Sequence, residues 1–349
     1  MAGATPKLIK ELREKSGAGM LDCKKALNEC DGDLEKAMQH LREAGLSKAA
    51  KKSGNLAAEG LVSILVNDEN TKATMTELNS QTDFVAKNEN FINLTKEITA
   101  HVQATGVSET SELMTTTING TTFEEYLNGK IATIGENLVA RKMVTISTDN
   151  GVVNGYVHMG KVGVILAATC DEAKKTEVTD LLKKVAMHAA SMKPTVISYK
   201  DLDVDFIESE NKAIIADIEK ENEELVRLGK PLKNIPEFVS ATQLTDEAIA
   251  AAEARMKEEL IAEGKPEKII PNILKGKIAR WIEDNSQLDK THALLSQTYV
   301  MDDSKTVEQA IAEVDATAQI VEYVRFELGD GIEKKEEDFA AEVAAQMGK

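Results

Sequence analysis

The chain has 349 residues and a formal net charge of −17, and no apolar run approaches the ~20 residues that a membrane-spanning helix needs. Its length allows two or three domains, and its acidic balance excludes a general nucleic-acid binder, which needs a basic surface. We therefore expect a protein partner, no direct nucleic-acid contact and no membrane contact. With only three cysteines and a polar N-terminal segment, the sequence favours a reducing, cytoplasmic location.

Three short helices are predicted within residues 1–45, where apolar residues recur at helical spacing and would form one small helical module. The apolar stripe of the second helix begins at Leu21. Gly45 is expected to end the third helix. The next segment, 46–58, is rich in Lys, Ala, Ser and Gly and is predicted to be a linker.

A β-hairpin followed by a helix is predicted twice, which indicates an α+β fold with two related core halves. The first half is assigned to residues 59–150, and the second to residues 151–202 together with 287–330. The predicted strands are 61–66, 72–78, 143–147, 155–158 and 162–168, and the main predicted helices are 83–104, 122–128 and 172–192.

Residues 203–286 differ from the rest of the chain, because they are charged, helical in pattern and poor in aromatic residues. Heptad-like apolar spacing favours an extended, coiled-coil-like helical hairpin inserted into the second half. A duplicated unit lies within it, since residues 223–236 resemble residues 258–271. Each copy reads as a helix end, a Gly C-cap and two prolines. The final residues, 331–349, are predicted to form a C-terminal helical module with a helix at 336–347.

Motifs for chemistry are absent from the sequence. It contains no G-x-x-x-x-G-K-[ST] loop, so it is not itself a P-loop GTPase, and it contains no H-E-x-x-H, C-x-x-C or G-x-S-x-G. The five histidines are scattered without metal-ligand spacing. Nothing around Cys23 or Cys170 suggests the lowered thiol pKa that a nucleophile needs. We expect no bound metal, no cofactor and no enzymatic activity.

The most informative stretch runs from Thr82 to Asn88 and reads Thr-Asp-Phe-Val-Ala-Lys-Asn. It joins a predicted strand to a predicted helix and resembles the central signature of the bacterial elongation factor Ts family. Three further regions, within 8–33, 155–194 and 299–343, resemble that family in the same order. The resemblance implies a guanine-nucleotide exchange factor for elongation factor Tu, with a UBA-like N-terminal module and no chemistry of its own.

The resemblance also implies which residues meet the partner. In the segment 82–88, here called the wedge, they are Thr82, Asp83, Phe84, Val85, Lys87 and Asn88; elsewhere they are Arg13, Met20, Leu21 and His158. In the family the Asp-Phe pair enters the partner's nucleotide-binding domain beside the magnesium site, which here implies Asp83 and Phe84. The implied partner is elongation factor Tu in its GDP-bound and nucleotide-free forms, and a dimer of heterodimers is allowed.

The residue pattern alone leaves other roles open. Ser80 and Asp83 fit a capping box, so Asp83 could cap the helix, and Phe84 could be a core residue on the stripe of Phe91. His158 could be an ordinary histidine at a strand end. Met20 and its neighbour Leu21 cannot both face inward, which favours one exposed contact. Two further functions also remain open, a non-exchanging adaptor or chaperone and a Cys–His enzyme.

Overall fold

The computed structural model describes residues 4–333, so the helix predicted at 336–347 lies outside the described residues. The architecture is mixed α and β, with many helices and small sheets. The described chain forms two compact units. Unit 1 comprises residues 4–149, 153–165 and 324–333, and unit 2 comprises residues 150–152 and 166–323. The domain boundaries drawn from the sequence stay predictions.

Unit 1 begins with three helices. They are α1 (Pro6–Ser16), α2 (Met20–Glu29) and α3 (Leu34–Lys52). The Thr5 side chain caps α1 and the Asp33 carboxylate caps α3, each by accepting backbone N–H groups of the first turn. Their small shared core contains Leu12, Cys23, Ala26, Leu27 and Ala37.

A three-stranded sheet follows the helices in unit 1. The elements in chain order are β1 (Glu59–Val66), β2 (Lys72–Ser80), α4 (Asp83–Ala86), α5 (Glu89–Thr105), α6 (Thr110–Thr115), β3 (Thr117–Ile118), β4 (Thr121–Thr122), α7 (Phe123–Ile134) and β5 (Val139–Ser147). Strand β2 is central and pairs antiparallel with β1 on one edge and with β5 on the other. Helix α5 packs on β1 and β2 and buries Phe91, Leu94 and Ile98. The predicted hairpin is confirmed.

The prediction that Gly45 ends the third helix is wrong. Helix α3 continues through Gly45 to Lys52, so only residues 53–58 of the predicted linker are non-helical. A Cβ atom at Gly45 would lie 3.7 Å from the Cβ of Ala132 in α7, along which α3 packs. Packing between helices therefore outweighs the weak helix propensity of glycine.

A buried carboxylate lies within the central strand. The Glu77 side chain is fully buried, and its Oε1 lies 2.9 Å from Nη1 of Arg141 on β5. The same oxygen accepts hydrogen bonds from Asn79 Nδ2 at 3.0 Å and from the Gly329 N–H at 2.9 Å. Because a buried charge needs such donors, Glu77 ties β2 to β5 and to residues near the end of the described chain.

The second sheet contains β6 (Gly151–His158), β7 (Val162–Thr169) and β8 (Gln319–Glu327), in the order β6-β7-β8. The predicted second strand pair is therefore confirmed. In β7 the backbone comes close to side chains of the first sheet. A Cβ at Gly163 would lie 2.6 Å from both Met75 Sδ and Val62 Cγ1, so a larger residue would require these side chains to shift.

The helices of unit 2 are α8 (Lys175–Met192), α9 (Val204–Arg227), α10 (Asp246–Ala262), α11 (Ile270–Asp284), α12 (Gln287–His292) and α13 (Val307–Val314). On α8, His188 is completely buried; its Nε2 lies 2.9 Å from Gln297 Oε1, and its Nδ1 accepts the Val300 N–H at 3.2 Å.

Among residues 4–333, no helix combines the length and apolar composition that a membrane span requires.

Both copies of the duplicated unit end their helix in the same way. Gly229 and Gly264 adopt left-handed conformations, with φ of 63° and 74°. The N–H that follows each glycine bonds back to a carbonyl, from Lys230 to Leu225 at 3.0 Å and from Lys265 to Leu260 at 3.1 Å. The predicted Gly C-caps are confirmed as Schellman-type ends.

Beyond these caps the two copies diverge. The second copy enters α11, and the α10–α11 pair buries Leu260, Ile270 and Leu274 in one cluster. The first copy enters a non-helical segment, in which Val239 is buried against Leu288. The two copies therefore continue into different structures, and the extended helical hairpin assigned to residues 203–286 stays a prediction.

Burial of His188 predicts a pH-dependent stability. Removal from water lowers the pKa of His188, although its bond with Gln297 opposes this. The unfolded chain then binds a proton more readily than the folded chain, so stability is full above about pH 6.5 and falls as the pH drops below it. Urea unfolding followed by circular dichroism between pH 7.5 and 5.5 should show this decline.

His188→Gln should make that decline shallower, whatever its effect on stability at pH 7.5. Some dependence should persist, because burial also lowers the pKa of His101 in unit 1. The same pH dependence in the wild type and in His188→Gln would contradict the assignment.

The close approach at Gly163 predicts opposite effects for two glycine substitutions. Gly163→Ala should destabilise the fold by about 1–3 kcal/mol, because the new methyl group overlaps Met75 and Val62. Gly129→Ala on α7 is the matched control; nothing lies within 4 Å of its Cβ position, so it should stabilise by about 0.5–1 kcal/mol. Thermal unfolding would measure both, and a Gly163→Ala variant as stable as the wild type would show that the Met75 and Val62 side chains can move aside at little cost.

Candidate functional site

The wedge contains a single helical turn, α4, held between β2 and α5. The Thr82 hydroxyl caps it by accepting the Val85 N–H at 3.4 Å. Ala86 is buried and Val85 packs against the core, which fixes the inner face of the turn. Phe84 points outward and is 80% exposed. The alternative in which Phe84 is a core residue is therefore wrong.

The wedge also ends in a cap, which breaks the single helix predicted at 83–104. Asn88 Oδ1 accepts the Asn90 N–H at 2.9 Å and starts α5 as its N-cap. Because this cap interrupts the helix, Phe84 and the buried Phe91 do not share one continuous stripe.

Asp83 lies beside the exposed ring as a charged group. Its Oδ2 lies 2.6 Å from the Lys87 ammonium, which lowers the pKa of Asp83, and Lys161 adds to the effect. The alternative capping role of Asp83 is wrong, because Thr82 is the cap and Ser80 Oγ donates to the Thr82 carbonyl at 3.0 Å. The wedge therefore presents an ionised carboxylate next to an aromatic ring.

The turn between β6 and β7 carries His158. The Lys161 N–H closes the turn by donating to the His158 carbonyl oxygen at 2.9 Å. The two central residues, Met159 and Gly160, have φ of 50° and 70°, as in a type I′ turn. His158 is exposed with Nδ1 3.1 Å from Tyr156 Oη, and Met159 is 82% exposed. The sequence interpretation missed Met159; the only available signal was an apolar residue before Gly160.

The wedge and this turn lie at the same end of the first sheet. Glu59 at the start of β1 pairs with Ser80 at the end of β2, two residues before Thr82 begins the wedge. The Lys161 ammonium lies 3.0 Å from Glu59 Oε2, and the Gly160 carbonyl accepts the Val62 N–H at 2.8 Å. The structure thus brings together two of the segments that the sequence singled out.

Arg13, Met20 and Leu21 lie on the three-helix part of unit 1, around the loop between α1 and α2. All three are exposed, with Met20 at 59% and Leu21 at 75%. This agrees with the expectation that Met20 and Leu21 do not both face inward. The prediction that the apolar stripe of the second helix begins at Leu21 is wrong, because the buried face of α2 begins at Cys23. The contacts described above, which join the wedge to the turn, do not involve these three residues.

The thiols do not resemble nucleophiles. Burial raises the pKa of the Cys170 thiol, the opposite of what an attacking thiolate needs. Cys23 is buried in the helical core, with its Sγ 3.7 Å from the Ala18 carbonyl oxygen. Within the part of the chain that the structure describes, no three or more His, Cys, Asp or Glu side chains cluster as metal ligands would.

Comparison with known proteins agrees with the motif. The sequence model of the family described as Elongation factor TS matches residues 81–330. Elongation factor Ts of Aliarcobacter butzleri is 69% identical over 350 residues, covering 100% of both chains. Those of Campylobacter fetus subsp. fetus and Wolinella succinogenes are 56% and 50% identical, covering 97% and 100% of this chain and 98% and 100% of their own. The chain belongs to the elongation factor Ts family.

Proposed function

We propose that this protein is a guanine-nucleotide exchange factor that binds elongation factor Tu·GDP and promotes release of GDP. The observation that carries the proposal is Phe84, a large ring held 80% exposed on a capped turn beside an ionised Asp83. Apolar surface of this size gains free energy when a partner covers it. Membership of the elongation factor Ts family supports elongation factor Tu as that partner.

The mechanism follows from what holds GDP in a GTPase, which is Mg²⁺ together with a P-loop. Insertion of Phe84 beside that site would force partner side chains apart, and the Asp83 carboxylate would perturb the groups around the metal. Free energy from a broad interface would offset this distortion. Because coupling is reciprocal, nucleotide and exchange factor would then weaken each other's binding. GTP could reload the nucleotide-free partner, and this chain would make and break no bond.

Other surfaces complete the proposed interface. The His158–Met159 turn would contact the partner outside the wedge, and the surface of Arg13, Met20 and Leu21 would dock a separate part of it. In this proposal α1–α3 act as a UBA-like module and residues 203–286 as a coiled-coil-like arm. Direct nucleic-acid contact has no part in it, and a dimer of heterodimers is compatible with it.

The rate of GDP release should depend on the side chains of the wedge. Substoichiometric protein should accelerate release of fluorescent GDP from purified elongation factor Tu, and Asp83→Ala combined with Phe84→Ala should slow this about 10- to 100-fold, as expected for interface hot spots. Met192→Ala removes another exposed apolar side chain, at the end of α8, and should leave the rate unchanged. If the wild type gives no acceleration, the adaptor function replaces the proposal.

The turn at Met159 should show a trade-off between stability and binding. Met159→Asn creates an Asn-Gly pair, which suits a type I′ turn, so the unfolding temperature should stay equal or rise. The same change removes an exposed apolar contact, so affinity for elongation factor Tu should fall about 3- to 10-fold. Calorimetry would measure both quantities, and unchanged affinity would remove Met159 from the interface.

A further inference from the structure

A carboxylate distant in sequence binds Gln81, which precedes the wedge, and Thr82, which begins it. Strand β2 ends at Ser80, so the N–H groups of Gln81 and Thr82 lie beyond its ladder. Both donate to Glu136 Oε2, at 3.1 and 3.0 Å. The Thr82 hydroxyl donates to the other oxygen, Oε1, at 2.7 Å. Both oxygens of Glu136 are thus engaged by the backbone and side chain immediately before Asp83.

The segment that carries Glu136 is itself fixed on both sides. Gly135 ends α7 in a left-handed conformation, with φ of 85° and its N–H bonded to the Ile131 carbonyl. Asn137 is buried, and its Nδ2 donates to the Asn55 carbonyl at 2.8 Å. Asn55 Nδ2 in turn donates to Gln81 Oε1 at 3.3 Å. Glu136 therefore projects from a rigid base towards the start of the wedge.

The direction of Phe84 depends on this attachment. Helix α4 is a single turn, which is too short to hold itself together without external contacts. Phe84 is exposed, so little packing fixes its ring, and its position follows that of the backbone. Thr82 sets the start of that turn, because its hydroxyl accepts the Val85 N–H while donating to Glu136.

We propose that Glu136 is a positioning residue that pre-organises the wedge for its partner. The inference rests on the proposed function, since it assumes that Phe84 enters the partner. Hydrogen bonds to a charged group are stronger than neutral ones, and three of them converge on this carboxylate. Their loss would let α4 fray, and the partner would then have to order the wedge on binding.

GDP release from elongation factor Tu tests the inference. Glu136→Gln has nearly the same shape but turns an amide N–H towards a donor, and it should lower the exchange rate constant about tenfold, the effect of about 1.4 kcal/mol. Glu124→Gln is the matched control, since Glu124 is exposed in the first turn of α7, the helix that ends just before Glu136. Thr82→Val removes the hydroxyl that donates to Glu136 and should lower the rate as Glu136→Gln does.

A double-mutant cycle separates positioning from general structural support. If Glu136 acts through Phe84, then Phe84→Ala should change the rate less than about threefold in the Glu136→Gln background, although it has a large effect alone. A full effect of Phe84→Ala in both backgrounds would overturn the inference, because Glu136 would then act independently of the ring.

Hydrogen exchange of the free protein gives a readout that does not depend on the partner. Glu136→Gln should speed exchange of the amides in residues 81–88 while protection elsewhere in the chain stays unchanged. Unchanged exchange in this segment would overturn the inference even if the variant were less active. If the wild type itself does not accelerate GDP release, the proposed function fails, and that outcome differs from one in which only Glu136→Gln is silent.

Discussion

Strand β2 is paired along both of its edges, and this pairing decides where each part of the candidate site lies. Ladders on two sides leave the strand no freedom of register, so the chain must leave the sheet after Ser80. The wedge begins there, the turn after His158 bonds to β1, and Glu136 lies on the connection into β5. One rigid strand thereby gathers a site from three separate stretches of sequence.

Helix caps and a tight turn, rather than core packing, keep the apolar side chains of this site exposed to solvent. Caps at Thr82 and Asn88 bracket the turn that carries Phe84, and a pair of left-handed residues presents Met159. Such side chains are exposed in the unfolded chain too, so leaving them exposed subtracts little from stability. The fold can therefore carry these exposed residues at little cost to its stability.

Local signals in the sequence predicted what local physics determines. The left-handed ends at Gly229 and Gly264 and the first hairpin follow from short-range rules and are found in the structure. The prediction that the third helix ends at Gly45 failed because the packing partner, Ala132, lies on a helix far away in the sequence. The seven-residue spacing of Phe84 and Phe91 suggested one shared buried face. The cap at Asn88 instead starts a new helix, so the two rings do not lie on one helical face.

Other features of the site had no local signal. Glu136 is 54 residues from Thr82, and nothing in its surroundings in the sequence indicates which N–H groups it accepts. Met159 occupies a turn position that favours Asn or Gly, so propensity argued against a methionine there. The resemblance therefore identified the wedge, whereas the contacts of Glu136 and the exposure of Met159 became visible only in the structure.

The buried carboxylate of Glu77 limits when its contacts can form during synthesis of the chain. Its donors arrive at very different times during synthesis, since Arg141 is 64 residues further along the chain and Gly329 is 252 residues further. N-terminal segments can begin to fold while the remainder is still being translated. Glu77 in the strand before the wedge therefore gains this hydrogen bond only after the ribosome has translated Gly329.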